Sequence, residues 1–289
     1  MDKAKPQIIN SLMATSKNIF THPELVKLCR DNKESWGLSK STRGKDFITF
    51  ITRDLDIKTI RLVFPSRTFI RYTFGSANIY KIVLSLVPGA YFTHFTALYF
   101  HNITNKIPRI IYLNAEQAPK APQYGPLDQT LIDAAFKNST RVSRNIVTFQ
   151  NRKICLLNGM YTNRLGVIEI EHPEAGRISI TDLERTLIDI TVRPAYSGGV
   201  GQVLQAYRWA RDKISIDKLI AYLKEMNHVY PYPQAIGFCL DMVGLGVTPL
   251  GKLRRRFRMV YDFYLVHQMR DVAYSEKWRL FFPKNLKRY

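Results

Sequence analysis

The segment Thr181 to Gly199, TDLERTLIDITVRPAYSGG, constrains the fold more than any other, because both of its ends are set by local chemistry. The Thr181 hydroxyl can accept from a first-turn N–H, while Glu184, three residues on, reaches back to the Thr181 N–H; this is a capping box. Leu183, Leu187, Ile188 and Val192 recur at helical spacing and make an apolar stripe. Pro194 has no N–H to give, so the helix stops near Arg193, whose charge suits a helix C-terminus. Ser197-Gly198-Gly199 then permits a sharp turn into another helix. The short helix carries a polar set: Glu184, Arg185, Thr186, Asp189 and Arg193. Glu184 and Asp189 lie about 140° apart around it, so they do not form a two-carboxylate site. Arg185 with Asp189, and Asp189 with Arg193, are at pairing distance along one face. Two readings fit: a capping box with a solvated charge ladder, or a polar cluster at the mouth of a C-terminal domain.

Charge narrows the partners. In 289 residues, 43 Lys and Arg stand against 23 Asp and Glu, a formal net charge of +20 spread along the whole chain. Such a field favours polyanions, most simply nucleic acid. No apolar run reaches the ~18 residues that span a bilayer, and Met1–Pro6 lacks a signal peptide's apolar core. The expected location is the cytoplasm, with no membrane partner. Cys29, Cys155 and Cys239 are far apart in apolar surroundings and read as buried free thiols. No Cys/His spacing suggests zinc, and P-loop, G-x-S-x-G and HExxH patterns are missing. Gly198-Gly199-Val200-Gly201 opens a helix and admits an anion, but lacks the preceding strand of a cofactor loop. No cofactor and no metal are therefore expected. The enzyme alternative is a metal-dependent nuclease using Glu169, Glu171 and Asp189.

The N-terminal third has the order of a winged helix-turn-helix. A first helix covers residues 7–15. Thr21-His22-Pro23-Glu24 is a capping box opening a second, with Leu25, Val26, Leu28 and Cys29. After a turn at Gly37, Ser41 or Thr42 caps a third with the stripe Phe47, Ile48, Phe50, Ile51 and Leu55. Two strands follow, Lys58–Phe64 and Arg67–Thr73, joined at Pro65-Ser66. In such a module the third helix enters the major groove and the hairpin touches the backbone. The candidate DNA contacts are Lys40, Thr42, Arg43, Lys45, Thr49, Arg53, Lys58, Arg61, Arg67 and Arg71. Arg43, Lys45 and Thr49 are the candidates for base edges, the others for phosphates. Arg61 and Arg71 have a second reading, pairing with Asp54 or Asp56, and the long turn before helix three also fits a module that has lost DNA binding.

Beyond it the chain reads as mixed α/β and then helical. Ser76 caps a helix with Ile79, Ile82, Val83 and Leu86; Thr93–His101 is another, on which His94 and His101 read as structural. Arg109–Leu113 is a buried strand, and Ala115–Pro126 a long loop. Helix Leu127–Lys137 turns Leu131, Ala134 and Ala135 inward. Ile146–Phe149, Lys153–Leu157, Val167–Glu171 and Arg177–Ile180 complete a mixed sheet of about five strands. Three helices then carry Val203, Leu204 and Tyr207; Ile216, Leu219 and Leu223 behind a Ser215 cap; and Ile236, Cys239 and Leu240, with Gly244 as a stop. Lys252, Arg254, Arg255, Arg256 and Arg258 form the densest basic patch. It is either a solvated face or, interleaved with Leu253, Phe257 and Tyr261, a track for a phosphate backbone such as RNA. The aromatic, basic tail from Trp278 to Tyr289 is expected to dock on the body.

The fold class expected is α+β: a winged helix-turn-helix domain over residues 1–90, then a mixed α/β domain over 91–289 ending in a helical bundle.

Four segments in order resemble bacterial AbiEi-type proteins, the antitoxin and transcriptional-regulator halves of abortive-infection (type IV) toxin–antitoxin pairs. Glu184-Arg185-Thr186-Leu187 with Asp189 and Arg193-Pro194-Ala195-Tyr196-Ser197-Gly198-Gly199 resembles that family's E-R-T-L-x-D…R-P-x-Y-S-G-G run. Thr93–Ile103 resembles its S/T-H-x-S/T-A-L-x-x-H-G-L segment, with Asn102 where Gly is usual; Asn tolerates the left-handed conformation of a helix end. Lys106–Leu113 resembles its I-P-x-T-I-Y strand, and Tyr230–Phe238 its late helix. The resemblance spans roughly residues 10–285. It implies an autorepressor binding duplex operator DNA and a nucleotidyltransferase toxin as functional partner. It also implies neutralisation by the C-terminal domain without cofactor, with Glu184, Arg185, Asp189 and Arg193 among the residues that matter there. A DNA-binding regulator without a toxin is the other non-enzymatic reading.

Overall fold

The computed structural model describes residues 1–120 and 125–286 of an α+β chain. Residues 121–124 of the expected long loop and tail residues 287–289 lie outside the described residues; of that loop, residues 115 and 116 belong to a strand.

The N-terminal third runs α1 (Lys5–Ala14), β1 (Ile19–Phe20), α2 (His22–Asn32), α3 (Gly44–Asp54), β2 (Ile57–Val63) and β3 (Thr68–Phe74). The Thr21 box forms as read: Glu24 Oε2 accepts from Thr21 N at 2.7 Å, and Thr21 Oγ1 from Glu24 N at 3.4 Å. The α3 stripe is buried throughout. Its cap differs: Arg43, not Ser41 or Thr42, is the N-cap residue, and the Asp46 carboxylate accepts from Arg43 N at 3.3 Å. The long turn 33–43 is pinned by buried Trp36, which stacks on Phe47 at 5.6 Å and donates from Nε1 to Ser11 Oγ at 3.1 Å. β1, β3 and β2 form one sheet in that order, with every pairing antiparallel.

Next come α4 (Ile79–Leu84), β4 (Tyr91–Phe92), α5 (His94–Phe100), β5 (Ile110–Glu116) and α6 (Gln129–Lys137). Asn78, not Ser76, caps α4; its Oδ1 accepts from Tyr80 N at 2.8 Å. On α6 the inward stripe is Ile132 and Phe136, while Leu131 faces solvent. Asn102 adopts φ +55°, the left-handed helix end expected of it. β6 (Ile146–Phe149), β7 (Arg152–Gly159), β8 (Val167–His172) and β9 (Gly176–Thr181) complete a sheet of order β6-β7-β5-β4-β9-β8. It has six strands rather than five, because the two-residue β4 joins two halves. β5 runs parallel to β7 and β4 to β9; the other pairings are antiparallel.

β9 leads directly into α7 (Leu183–Val192), followed by α8 (Val200–Ala210), α9 (Ile216–Met226), α10 (Tyr232–Met242) and α11 (Val247–Arg256). α7 is buried on nearly every side, and its Leu187, Ile188 and Ile190 share a core with Tyr207, Leu219 and Ile236. The helices are not the end of the chain. β10 (Phe263–Tyr264), β11 (Val272–Ser275) and β12 (Leu280–Pro283) follow as a small sheet docked on α10. Trp278 is its anchor, fully buried against Gly237, where an added Cβ would lie 2.0 Å from the indole. All three cysteines are buried free thiols.

Candidate functional site

Two regions gather the polar residues singled out by sequence. The first is the exposed side of α3 and β2. The α3 core stripe faces α2 and the hairpin, leaving Lys45, Thr49 and Arg53, spaced one turn apart, on the solvent side. Arg43 precedes them, 87% exposed at its side chain, with Asp46 3.7 Å away. Arg53 pairs with Asp54 at 2.9 Å. Lys40, Lys58, Arg61 and Arg67 are exposed, and Thr42 is half-buried. Between Lys40 and Phe74 seven exposed basic residues stand against three acidic ones. This face is therefore strongly cationic, and two of its carboxylates, Asp46 and Asp54, are already paired.

Arg71 departs from the expectation. It is buried and makes neither a surface contact nor a pair with Asp54 or Asp56. Its guanidinium donates to Ser85 O at 2.7 Å, Leu86 O at 2.9 Å and Ile70 O at 2.6 Å. It satisfies carbonyls at the C-terminal end of α4, a common use of a cation, and burial lowers its pKa. The hairpin tip is also engaged, Ser66 Oγ donating to Asn145 Oδ1 at 2.9 Å. β2 is the terminal strand of its sheet and approaches β6 of the six-stranded sheet.

The second region is α7. The Thr181–Glu184 capping box does not form. Thr181 ends β9, and the N-cap is Asp182, whose Oδ1 accepts from Arg185 N at 2.9 Å. Glu184 instead accepts from Ser215 N at 2.8 Å, tying α7 to the start of α9. Lys218 on α9 bridges Asp182 and Glu184, 3.0 Å from each. Burial opposes its charge, but the hydrogen bonds to Glu184 and Asp182 prevail and its pKa is raised. Thr186 donates to Thr181 O at 3.0 Å.

The pair expected between Arg185 and Asp189 does form, but inside the molecule. Arg185 Nε lies 2.9 Å from Asp189 Oδ1, with side chains only 5% and 10% exposed. Arg185 Nη1 also donates to Leu165 O at 2.7 Å and Thr162 Oγ1 at 3.0 Å, and Asp189 Oδ2 accepts from Thr93 Oγ1 at 2.8 Å. The network runs on through Glu116, which accepts from Thr162 N at 3.0 Å and Tyr91 OH at 2.8 Å, and through Asn114, which donates to Tyr91 OH at 2.8 Å. Gly166, at φ +67°, lets β8's start pass over this pair, since a Cβ there would sit 2.8 Å from Arg185 Cβ. A solvated charge ladder is thus replaced by an enclosed polar network. Arg193 is exposed at the C-cap and has no ion pair among the described residues. Sequence reasoning missed Glu116, Asn114, Thr162 and Lys218. A signal existed for the first two: an amide and a carboxylate closing the apolar run Ile110–Leu113.

The nuclease set does not assemble. Glu169 is exposed and paired with Arg177, Glu171 is exposed, and Asp189 is buried with both oxygens engaged. Among the described residues no three His, Cys, Asp or Glu side chains are grouped to hold a metal ion. His101 Nε2 meets Thr181 O at 2.7 Å, a structural contact. In the α11 patch Lys252 pairs with Asp217 at 3.0 Å, and Arg254, Arg255, Arg256 and Arg258 are exposed. The interleaved residues are not free to stack on bases. Leu253 is fully buried, Phe257 is half-buried, and Tyr261 donates to Leu127 O at 2.6 Å. No helix among the described residues is long and apolar enough to cross a membrane.

No family model matches the sequence, and no curated protein does. Among solved structures the chain is similar to the RV2827C protein from Mycobacterium tuberculosis. The TM-score is 0.59 at 13% identity, over 96% of this chain and 90% of that one. At that identity the likeness is one of fold, and it extends over nearly the whole of both chains.

Proposed function

We propose that the chain is an AbiEi-type antitoxin and autorepressor: a winged helix-turn-helix over residues 1–90 binds duplex operator DNA, and residues 91–289 counteract a nucleotidyltransferase toxin. The observation carrying this reading is the cationic face of α3 and β2. A winged module orders its elements helix, strand, helix, helix, strand, strand, as α1-β1-α2-α3-β2-β3 do. It turns its third helix to DNA, and here that helix presents Arg43, Lys45, Thr49 and Arg53 to solvent. Lys58 and Arg61, both exposed on β2, suit phosphates, which position the module without specifying sequence. Arg43 and Lys45 at the start of α3 suit guanine edges, each good match contributing about 1–3 kcal/mol of discrimination. The toxin assignment rests on the resemblance of the α5, β5, α7 and α10 segments to that family. On this reading the α7 network is scaffold for the neutralising surface, and no cofactor takes part.

The test has two arms. In the first, duplexes tiled from the chain's own promoter are titrated against the wild type and Arg43→Ala/Lys45→Ala. Specific binding of one tile, lost in the variant at unchanged melting temperature, supports the module. Equal, weak binding of all tiles refutes operator recognition. In the second, the product of the neighbouring reading frame, expected to be a nucleotidyltransferase that arrests growth, is co-expressed with the chain, which should restore growth. Growth that stays arrested removes the antitoxin assignment.

A further inference from the structure

We propose that the junction of α5, α7 and α8 binds a phosphate group, held by Arg193, Ser197 and His94 beside the first turn of α8. Buried polar atoms in folded proteins nearly always have partners, so those without one call for a reason. Among the described residues five buried side-chain atoms have none, and two of them are His94 Nδ1 and Ser197 Oγ. These two share a neighbourhood. The His94 and Tyr196 rings meet edge to face at 5.2 Å, and Ser197 follows Tyr196 directly. A Cβ at Gly198 would touch Phe95, the neighbour of His94, at 3.6 Å. His94 and Ser197 are more than nine-tenths buried.

Next to these unused groups lies an unused cation. Arg193 has the spacing to pair with Asp189, but both Asp189 oxygens are engaged by Arg185 and Thr93. Arg193 therefore stands exposed at the C-cap of α7 without an ion pair among the described residues. From it the chain turns through Ser197 and Gly198 to Gly199, which, at φ +86°, opens α8 without a side-chain cap. No atom lies within 4 Å of a Cβ built on Gly199 or Gly201, so the approach to this turn is open. An eleven-residue helix whose first amides are uncapped favours an anion at its start.

The donor set selects the ligand. A guanidinium, a hydroxyl, an imidazole with its proton at Nδ1 and helix amides are all donors, and together they match the several acceptor oxygens of a phosphate. Arg193 disfavours a metal cation in the same place. The phosphate belongs either to a free nucleotide or to the end of a nucleic acid strand. The inference does not rest on operator binding by α3, and its test is separate.

Inorganic phosphate, ADP and a short oligonucleotide with either a 5′-phosphate or a 5′-hydroxyl are titrated by calorimetry into the wild type, Arg193→Ala and Ser197→Ala. Arg254→Ala/Arg255→Ala is the control for diffuse charge. Saturable one-to-one binding of phosphate is expected, weakened about tenfold or more in Arg193→Ala, and unchanged in the control. Tighter binding of ADP points to a free nucleotide; tighter binding of the 5′-phosphorylated strand than of its 5′-hydroxyl form points to a nucleic acid end. Since Arg193 is exposed, its variant should keep the wild-type melting temperature, and Ser197→Ala gives an independent second reading. No saturable binding, or binding reduced equally by the control variant, overturns the site.

Discussion

Replacing Asp189 by Leu should be among the most damaging single changes in this chain, and replacing Arg185 as well should repair part of the damage. The Arg185 guanidinium is enclosed and spends Nε on Asp189 at 2.9 Å, and Nη1 on Leu165 O and Thr162 Oγ1. Without the carboxylate it is a buried charge with only neutral partners. Breaking such a pair from one side costs about 3–5 kcal/mol. The hydrogen bond from Thr93 to Asp189 is lost too, which adds about 1 kcal/mol. For a chain of this size each kcal/mol lowers Tm by roughly 2–4 °C, so Asp189→Leu should melt about 8–24 °C below wild type.

In Arg185→Met/Asp189→Leu no charge remains unpaired. What remains unmade is a partner for Leu165 O and for the Thr93 hydroxyl, about 1–3 kcal/mol in all. The double variant should therefore be more stable than Asp189→Leu by about 2 kcal/mol or more. Thermal and urea unfolding followed by circular dichroism measure all four corners of the cycle. If Asp189→Leu lies within about 1 kcal/mol of wild type, or the double variant is less stable than the single, then the pair is not the enclosed, mutually dependent unit described above.

Three further outcomes are expected. DNA affinity should fall steeply with salt, by tenfold or more between about 50 and 200 mM, and Arg43→Ala/Lys45→Ala should flatten the log–log slope by up to about 2; a flat wild-type titration refutes phosphate contacts. Gly237→Ala would place a methyl 2.0–2.5 Å from the buried Trp278 ring, so indole fluorescence should shift to the red and stability should drop by about 3 kcal/mol or more; an unshifted spectrum refutes the packing. His94 and His228 are held to a pKa of about 4 by burial. Between that value and the ordinary imidazole pKa the unfolded chain binds more protons than the folded one. Stability contributed by the neutral rings is thus full above pH ~6.5 and lost as pH falls towards ~4, by up to about 1.4 kcal/mol per pH unit for each ring. Urea titrations of wild type, His94→Gln and His228→Gln over that range should show shallower pH slopes in the variants, and equal slopes would refute it.

What sequence revealed here was mostly apolar periodicity and what it missed was mostly polar. The stripes of α2, α3, α9 and α10 and the strands β2, β3, β6 and β9 lie within a few residues of where spacing puts them. Caps were less legible, because adjacent polar residues compete: Thr181 against Asp182, Ser41 and Thr42 against Arg43, Ser76 against Asn78. Each choice depends on where the preceding backbone ends, and β9 takes Thr181 for its last strand position. The direction of Arg71 was hidden for a related reason. Alternation along β3 assigns a residue to one face, but that face looks onto α4, whose terminal carbonyls need donors only in the folded chain. The α7 network is the extreme case. Arg185 and Asp189 are at ladder spacing whether solvated or enclosed, and the choice is made by Thr93, Thr162 and Leu165, brought in from two distant segments.

The same hidden contacts decide how the cationic face is presented. Leu62, Phe64 and Phe69 of the hairpin share a core with Ile111, Leu113, Ile154 and Leu156 of the six-stranded sheet. Arg71 and Ser66 add polar ties from β3 and the hairpin tip to α4 and Asn145. The hairpin is thus part of the body on one side and part of the α3 module on the other. A module on a flexible tether would lose orientational freedom on docking to a partner, at roughly 0.5–1.5 kcal/mol for each side chain ordered at the interface besides. Here α3 is already oriented by its packing on β2, and β2 by the sheet that runs through β9 into α7. Hence the exposed cations of α3 and β2 are held in a defined direction chiefly by the apolar core that the hairpin shares with the six-stranded sheet.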